Sequence, residues 1–129
     1  MAFTRLAPHK PVIYNLKTGY DAIERKEYYI NYSVLTYPKN TLVQCDAVGF
    51  GAVLIKVDLF RKMKKPWLMT TSGAGEDIHF CHQAGKEGYK IYMDTSTKIT
   101  HLGDPMEITE EIFESAQNTK WLEEAHVKA

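Results

Sequence analysis

Hydrophobic and polar positions change their period several times along the chain, and each change marks an element. Ala7-Pro8-His9-Lys10-Pro11 carries two prolines that forbid helix, and Val12-Ile13-Tyr14 follows as a short β-rich run. This opening reads as an arm arriving from elsewhere. Between Gly19 and Asn40 the apolar and aromatic residues Ile23, Tyr28, Tyr29, Ile30, Tyr32, Val34 and Leu35 keep no clean period, and Tyr37-Pro38-Lys39-Asn40 is a turn signal. Residues 1–40 are therefore expected to be an arm followed by an irregular segment. From Leu42 to Ala47 the pattern alternates as a strand does, whereas Ala52-Val53-Leu54-Ile55 is the continuous apolar run of a strand covered on both faces. Gly49-Phe50-Gly51 separates the two.

Asp58 is placed to cap a short helix over residues 59–65, whose basic last turn suits the negative helix end and which Pro66 stops. Trp67-Leu68-Met69 is an apolar return. A second helix is predicted from Glu76 to Glu87, with Ile78, Cys81 and Gly85 on one stripe and Gly88 at the left-handed cap position. Tyr89 to Asp94 and Lys98 to His101 read as short strands, completing a core at 41–103. Thr109 is an N-cap with Ile108 and Phe113 as its hydrophobic staple; Phe113, Ala116, Lys120, Trp121 and Ala125 continue at helical spacing, predicting a C-terminal helix over 108–126. The expected class is α/β, a small mixed sheet with flanking helices.

Length and composition narrow the possibilities. At 129 residues there is room for one domain, and 44% hydrophobic with 25% charged residues excludes collagen-like, disordered and membrane-embedded chains. Sixteen basic residues balance sixteen acidic ones, so no electrostatic footprint points to nucleic acid or to an anionic membrane. No apolar run approaches the roughly 20 residues of a transmembrane span. Arg5, Pro8, His9 and Lys10 stand where a signal peptide needs an apolar stretch, so a cytoplasmic location is expected. Cys45 and Cys81 lack paired spacing and read as two buried thiols.

Four features in order bear on chemistry: Gly49-Phe50-Gly51, Pro66-Trp67, Gly75-Glu76-Asp77 at a helix start, and Asp94-Thr95-Ser96 followed by His101-Leu102-Gly103. In this order and at these distances the chain from Cys45 to Gly103 resembles the second half of a GT-A glycosyltransferase of the family 2 type. The resemblance implies inverting transfer of a sugar from a nucleotide-diphosphate donor to a hydroxyl acceptor, with Asp77 as the base that takes the acceptor proton. It assigns Glu76 to the acceptor hydroxyls and His101 to a divalent cation, manganese or magnesium, that offsets diphosphate charge. Gly49 and Gly51 would let the backbone approach substrate, and Trp67 would stack on a sugar face. Each residue also has a plain structural reading: dipole-complementing acids, a strand-end histidine that is hydrogen-bonded, a bend at the glycines, a core tryptophan. His79 and His82 share a helix face, but no carboxylate or thiol has matching spacing, so they are not read as ligands.

The family's donor half ends in an Asp-x-Asp motif, and none of Asp21, Asp46, Asp58, Asp77, Asp94 and Asp104 has another aspartate two residues away. The resemblance would place the segment 5–11 shortly after that motif. The expectation is thus an acceptor-side half that alone binds neither donor nor cation tightly, and that self-associates through an uncovered sheet edge and Val53-Leu54-Ile55. The alternative is a non-catalytic interaction module that keeps the acceptor-side fold.

Overall fold

The segment from Ile13 to Ser33 is a hairpin, β1 (Ile13–Asp21) and β2 (Lys26–Ser33), in the register Tyr14 opposite Ser33 through Asp21 opposite Lys26. A computed structural model describes residues 1–5, 7–71, 73–102 and 107–117 of the chain. The hairpin corrects the expectation of an irregular segment after Gly19. Its turn contains neither glycine nor proline: Asp21 Oδ1 accepts from the amides of Ile23 (2.8 Å) and Glu24 (3.1 Å), and Arg25 takes the left-handed conformation at φ 54°. An aspartate closing the turn on its own backbone does the work that glycine usually does.

The alternating run after Leu42 forms two strands that serve different sheets. β3 (Leu42–Cys45) pairs antiparallel with β5 (Ile91–Asp94), while β4 (Ala47–Val48) pairs antiparallel with β1, giving the order β2-β1-β4. Asp46 makes the switch: its amide donates to Tyr14 O (3.0 Å) and its carboxylate accepts from the Leu16 amide (2.8 Å). A third sheet pairs β6 (His101–Leu102) with β7 (Glu107–Ile108). The three sheets among the described residues are all antiparallel where one mixed sheet was expected. The α/β class itself holds.

Ala52-Val53-Leu54-Ile55 is not a strand. The chain turns at residues 50–52 and continues without regular structure; Leu54 is fully exposed and Val53 44% exposed, while Ile55 packs inward. A wholly apolar strand needs a layer on each face, and the described residues supply none here. The next helix, α1 (Val57–Lys62), starts two residues earlier than Asp58 capping predicts: Lys56 is the N-cap, without a side-chain cap bond, and Asp58 lies in the first turn.

The helix α2 (Glu76–Lys86) falls where its periodicity places it, and Gly88 has φ +84°, as a left-handed cap requires. Its buried residues serve two cores. Ile78 and Cys81 join Ile13, Cys45, Ala47, Val48, Met93 and others in one cluster, whereas Phe80 and Ala84 join Leu59 and Met63 in a second. Phe50 packs against both. The helix is thus a wedge between two apolar clusters, which is why Ile78 to Cys81 are buried consecutively.

At the far end a helix over 110–117, α3, starts after Thr109, whose Oγ1 accepts from the Ile112 amide at 3.4 Å. Ile108 and Phe113 are both buried, consistent with the expected staple, and Phe113 stacks on Phe3 with ring centroids 5.1 Å apart. The remainder of the predicted C-terminal helix lies outside the described residues.

Candidate functional site

Gly75 ends an extended stretch and is the N-cap of α2, so Glu76 and Asp77 occupy its first turn, where their negative charge complements the helix dipole. Glu76 is exposed and Asp77 half-buried. Asp77 Oδ1 accepts from the Ile78 amide at 2.7 Å, and a Cβ built on Gly75 would lie 3.2 Å from the same oxygen. The glycine therefore leaves room for the carboxylate. Asp77 also bears on Tyr14 of β1: burial first, and the Asp77 charge second, push the phenol above its ordinary value. No spacing rule links residues so far apart in sequence, so Tyr14 is a neighbour that only the β1–β4 pairing reveals.

Gly49 follows β4, on which α2 packs, so the glycine and the acidic helix start lie on adjacent elements. Its amide donates to Val12 O (2.9 Å), and a Cβ placed on it would meet Val12 Cβ at 2.8 Å. Close approach is thus required at Gly49, but the approaching group is Val12. Gly51 differs: nothing lies within 4 Å of an added Cβ, and its backbone is outside the left-handed region.

Trp67 is half-buried in the second cluster, edge-on to Phe60 with centroids 5.0 Å apart; its Nε1 donates to Met63 O (3.3 Å) and Lys65 Nζ lies 4.9 Å from the ring centroid. His101, also half-buried, has Nδ1 3.0 Å from Phe3 O. A carbonyl only accepts, so Nδ1 carries a proton, and in the neutral ring Nε2 keeps its lone pair, the tautomer a histidine ligand uses. That suits one bond to a divalent cation. Among the described residues, however, no group of three or more His, Cys, Asp or Glu side chains is arranged to hold a metal, so His101 has no completing donor set there.

Asp94 and its neighbours form a tightly bonded turn. The Asp94 carboxylate accepts from the Ser96 amide (2.8 Å), the Ser96 hydroxyl and Thr97 Oγ1 (2.6 Å), and these bonds hold it far below the usual carboxylate range. Buried Thr95 ties the turn to the loop before β3 through Pro38 O (2.8 Å) and Thr41 O (2.9 Å). Cys45 and Cys81 are free and buried, and burial pushes their thiols up to about 12 and about 11, so neither is a ready nucleophile.

A cavity of about 80 Å³ next to Phe3 and Ile99 and an open groove of about 420 Å³ at Leu35, Phe113 and Gln117 are both lined by other residues than the six candidates. The structure thus brings Gly49 and Asp77 onto neighbouring elements, while Trp67 and His101 are engaged with different parts of the core. No helix among the described residues is long and apolar enough to cross a membrane. Comparison with family models, with curated proteins and with solved structures finds no match for this chain.

Proposed function

We propose that the chain is the acceptor-side part of a GT-A glycosyltransferase, in which Asp77 removes the proton of an acceptor hydroxyl. The hydroxyl oxygen forms its bond to the anomeric carbon as the bond to the nucleotide diphosphate breaks. The proton passes to the Asp77 carboxylate and the diphosphate leaves with the electron pair. Glu76, exposed beside it, binds further acceptor hydroxyls. His101 would offer Nε2 to a manganese or magnesium ion, whose chemistry is to offset charge on the departing diphosphate. The observation that carries this reading is the half-buried carboxylate at the first turn of α2, packed on the strand that leads into Gly49.

The second reading, an interaction module without catalysis, draws on Trp67, whose ring and Nε1 are both engaged internally. The two separate in one experiment. The chain is supplied with an Asp-x-Asp-bearing donor half and assayed for sugar transfer with manganese, beside Asp77→Asn, which keeps the shape and removes the basicity. Transfer that falls at least ~100-fold in the variant supports the base, the usual size of such a contribution. Transfer at near-normal turnover in folded Asp77→Asn refutes it, and no transfer from the wild-type pair favours the module.

A further inference from the structure

Whereas β1 packs Ile13, Tyr14 and Leu16 against the core, β2 leaves three large side chains exposed. Glu27 and Asn31 of β2 turn toward the body of the molecule, pairing with Lys86 Nζ (3.3 Å) and Gly73 O (3.3 Å). Tyr28, Ile30 and Tyr32, which alternate with them, are 47%, 49% and 44% exposed. β2 is also the edge of its sheet, with β1 on one side and no strand of the described residues on the other. It is eight residues long and contains no proline; its one lysine stands at its very start. From Tyr28 to Ser33 it has neither a charge nor a proline to blunt the edge.

We infer that β2 is a homotypic docking edge, to which a second copy of this chain adds its own β2 antiparallel across a two-fold axis near Ile30. The exposed stripe Tyr28, Ile30, Tyr32 is symmetric about Ile30, as a two-fold mate requires, and charge selects the direction. Both charged residues of the strand, Lys26 and Glu27, sit at one end. Parallel addition of a second copy sets each against its like, whereas antiparallel addition sets them against the uncharged end, Ser33 and Val34 of the other copy. Glu27 is already paired with Lys86, and Lys17, opposite Ile30 on β1, lies over the Tyr32 ring at 5.4 Å, so both charges are engaged within the chain and no row of charge is offered to an acidic or basic foreign strand. Two-fold antiparallel pairing also brings like faces together, because directly opposed residues point to the same side of a sheet. Centred on Ile30, it sets that residue against its own mate and Tyr28 against Tyr32 of the other copy, joining two small exposed stripes into one. This inference does not depend on the catalytic reading.

The full chain is tested by sedimentation over a concentration series, with Ile30→Lys, Ile30→Glu and an equimolar mixture of the two. Ile30 is exposed, so neither substitution enters a core, and circular dichroism checks the fold. The wild type is expected to dimerise; each variant alone should weaken dimerisation at least ~10-fold, and the mixture should recover it, since opposite charges then meet at the axis. Leu54→Lys, on the other exposed apolar segment, should leave the wild-type behaviour unchanged. A wild type that stays monomeric, association that persists in both single variants, a mixture no better than its components, or loss on Leu54→Lys each overturns the assignment.

Discussion

Gly49→Ala tests whether this glycine is there for the fold. The added methyl would lie 2.8 Å from Val12 Cβ and 3.3 Å from each Val12 Cγ, and both backbones are tied by the Gly49 amide to Val12 O bond of 2.9 Å. Neither side is the loose end of a flexible chain. Insertion of one methyl group into such a site costs roughly 1–3 kcal/mol. With an unfolding entropy of about 2.1 cal/mol/K per residue over 129 residues, that corresponds to a fall in Tm of about 4–11 °C.

The location of the clash gives a sharper test. Val12→Ala removes the two Cγ atoms but leaves the 2.8 Å contact with Cβ, whereas Val12→Gly removes that contact as well. In thermal or urea unfolding, Gly49→Ala should therefore couple favourably with Val12→Gly by about 1 kcal/mol or more, and with Val12→Ala by clearly less. Val12→Gly alone is destabilising, through lost packing and backbone entropy, so the informative quantity is the coupling and not the stability of the double variant. Additive effects in both cycles, or an unchanged Tm in Gly49→Ala, would show that the two backbones do not meet as described.

Gly51→Ala should behave oppositely, leaving stability equal or raised by roughly 0.4–1 kcal/mol because its site is open and its backbone ordinary; a loss of transfer activity without loss of Tm would then mark a substrate contact. For Asp94, hydroxyl and amide bonds from Ser96 and Thr97 depress the carboxyl in the folded chain below its value of 3.8 in the unfolded one. The unfolded state then binds more protons, so this contribution is present above pH ~4 and is lost as pH falls below it. Asp94→Asn should lower Tm near neutral pH and approach the wild type in a scan near pH ~2; an equal difference at both ends would refute the linkage.

How far the fold was legible follows from which signals are local. α2 was readable because two acids, an apolar stripe and Gly88 all mark the same eleven residues. β3 and β5 were readable because both alternate. The hairpin was not, because Asp21 and Arg25 close its turn without glycine or proline, and because β2 leaves Tyr28, Ile30 and Tyr32 exposed. Val53 and Leu54 misled for a related reason: apolar composition predicts a cover that the described residues do not provide. Among the site residues, the helix-start position of Asp77 was legible, but its neighbour Tyr14 was not. The inward engagement of Trp67 and the tautomer of His101 depend on Phe60, Met63 and Phe3, which no spacing links to them.

Asp77 has two roles that a single substitution tends to confuse, and the structure separates them. Its Oδ1 caps the Ile78 amide, and its charge both complements the α2 dipole and opposes ionisation of Tyr14. Asp77→Asn keeps an oxygen for the amide and loses the charge; Asp77→Ala loses both. Stability should therefore fall in the order wild type, Asn, Ala, with the Ala step resembling loss of a helix N-terminal hydrogen bond, about 1 kcal/mol. Tyr14 supplies an independent readout. In the folded wild type its phenol titrates above the ordinary value of 10.0, from burial chiefly and from Asp77 in addition, so the stability it contributes is present below pH ~10 and declines above it. Removing the charge should lower the Tyr14 pKa equally in Asn and Ala while leaving it above 10.0, since burial remains. Ultraviolet difference titration, with Tyr14→Phe to identify the band, measures this without any sugar transfer. A Tyr14 pKa that is the same in all three proteins would mean that Asp77 does not face β1, and the candidate base would lose the geometry on which its role rests.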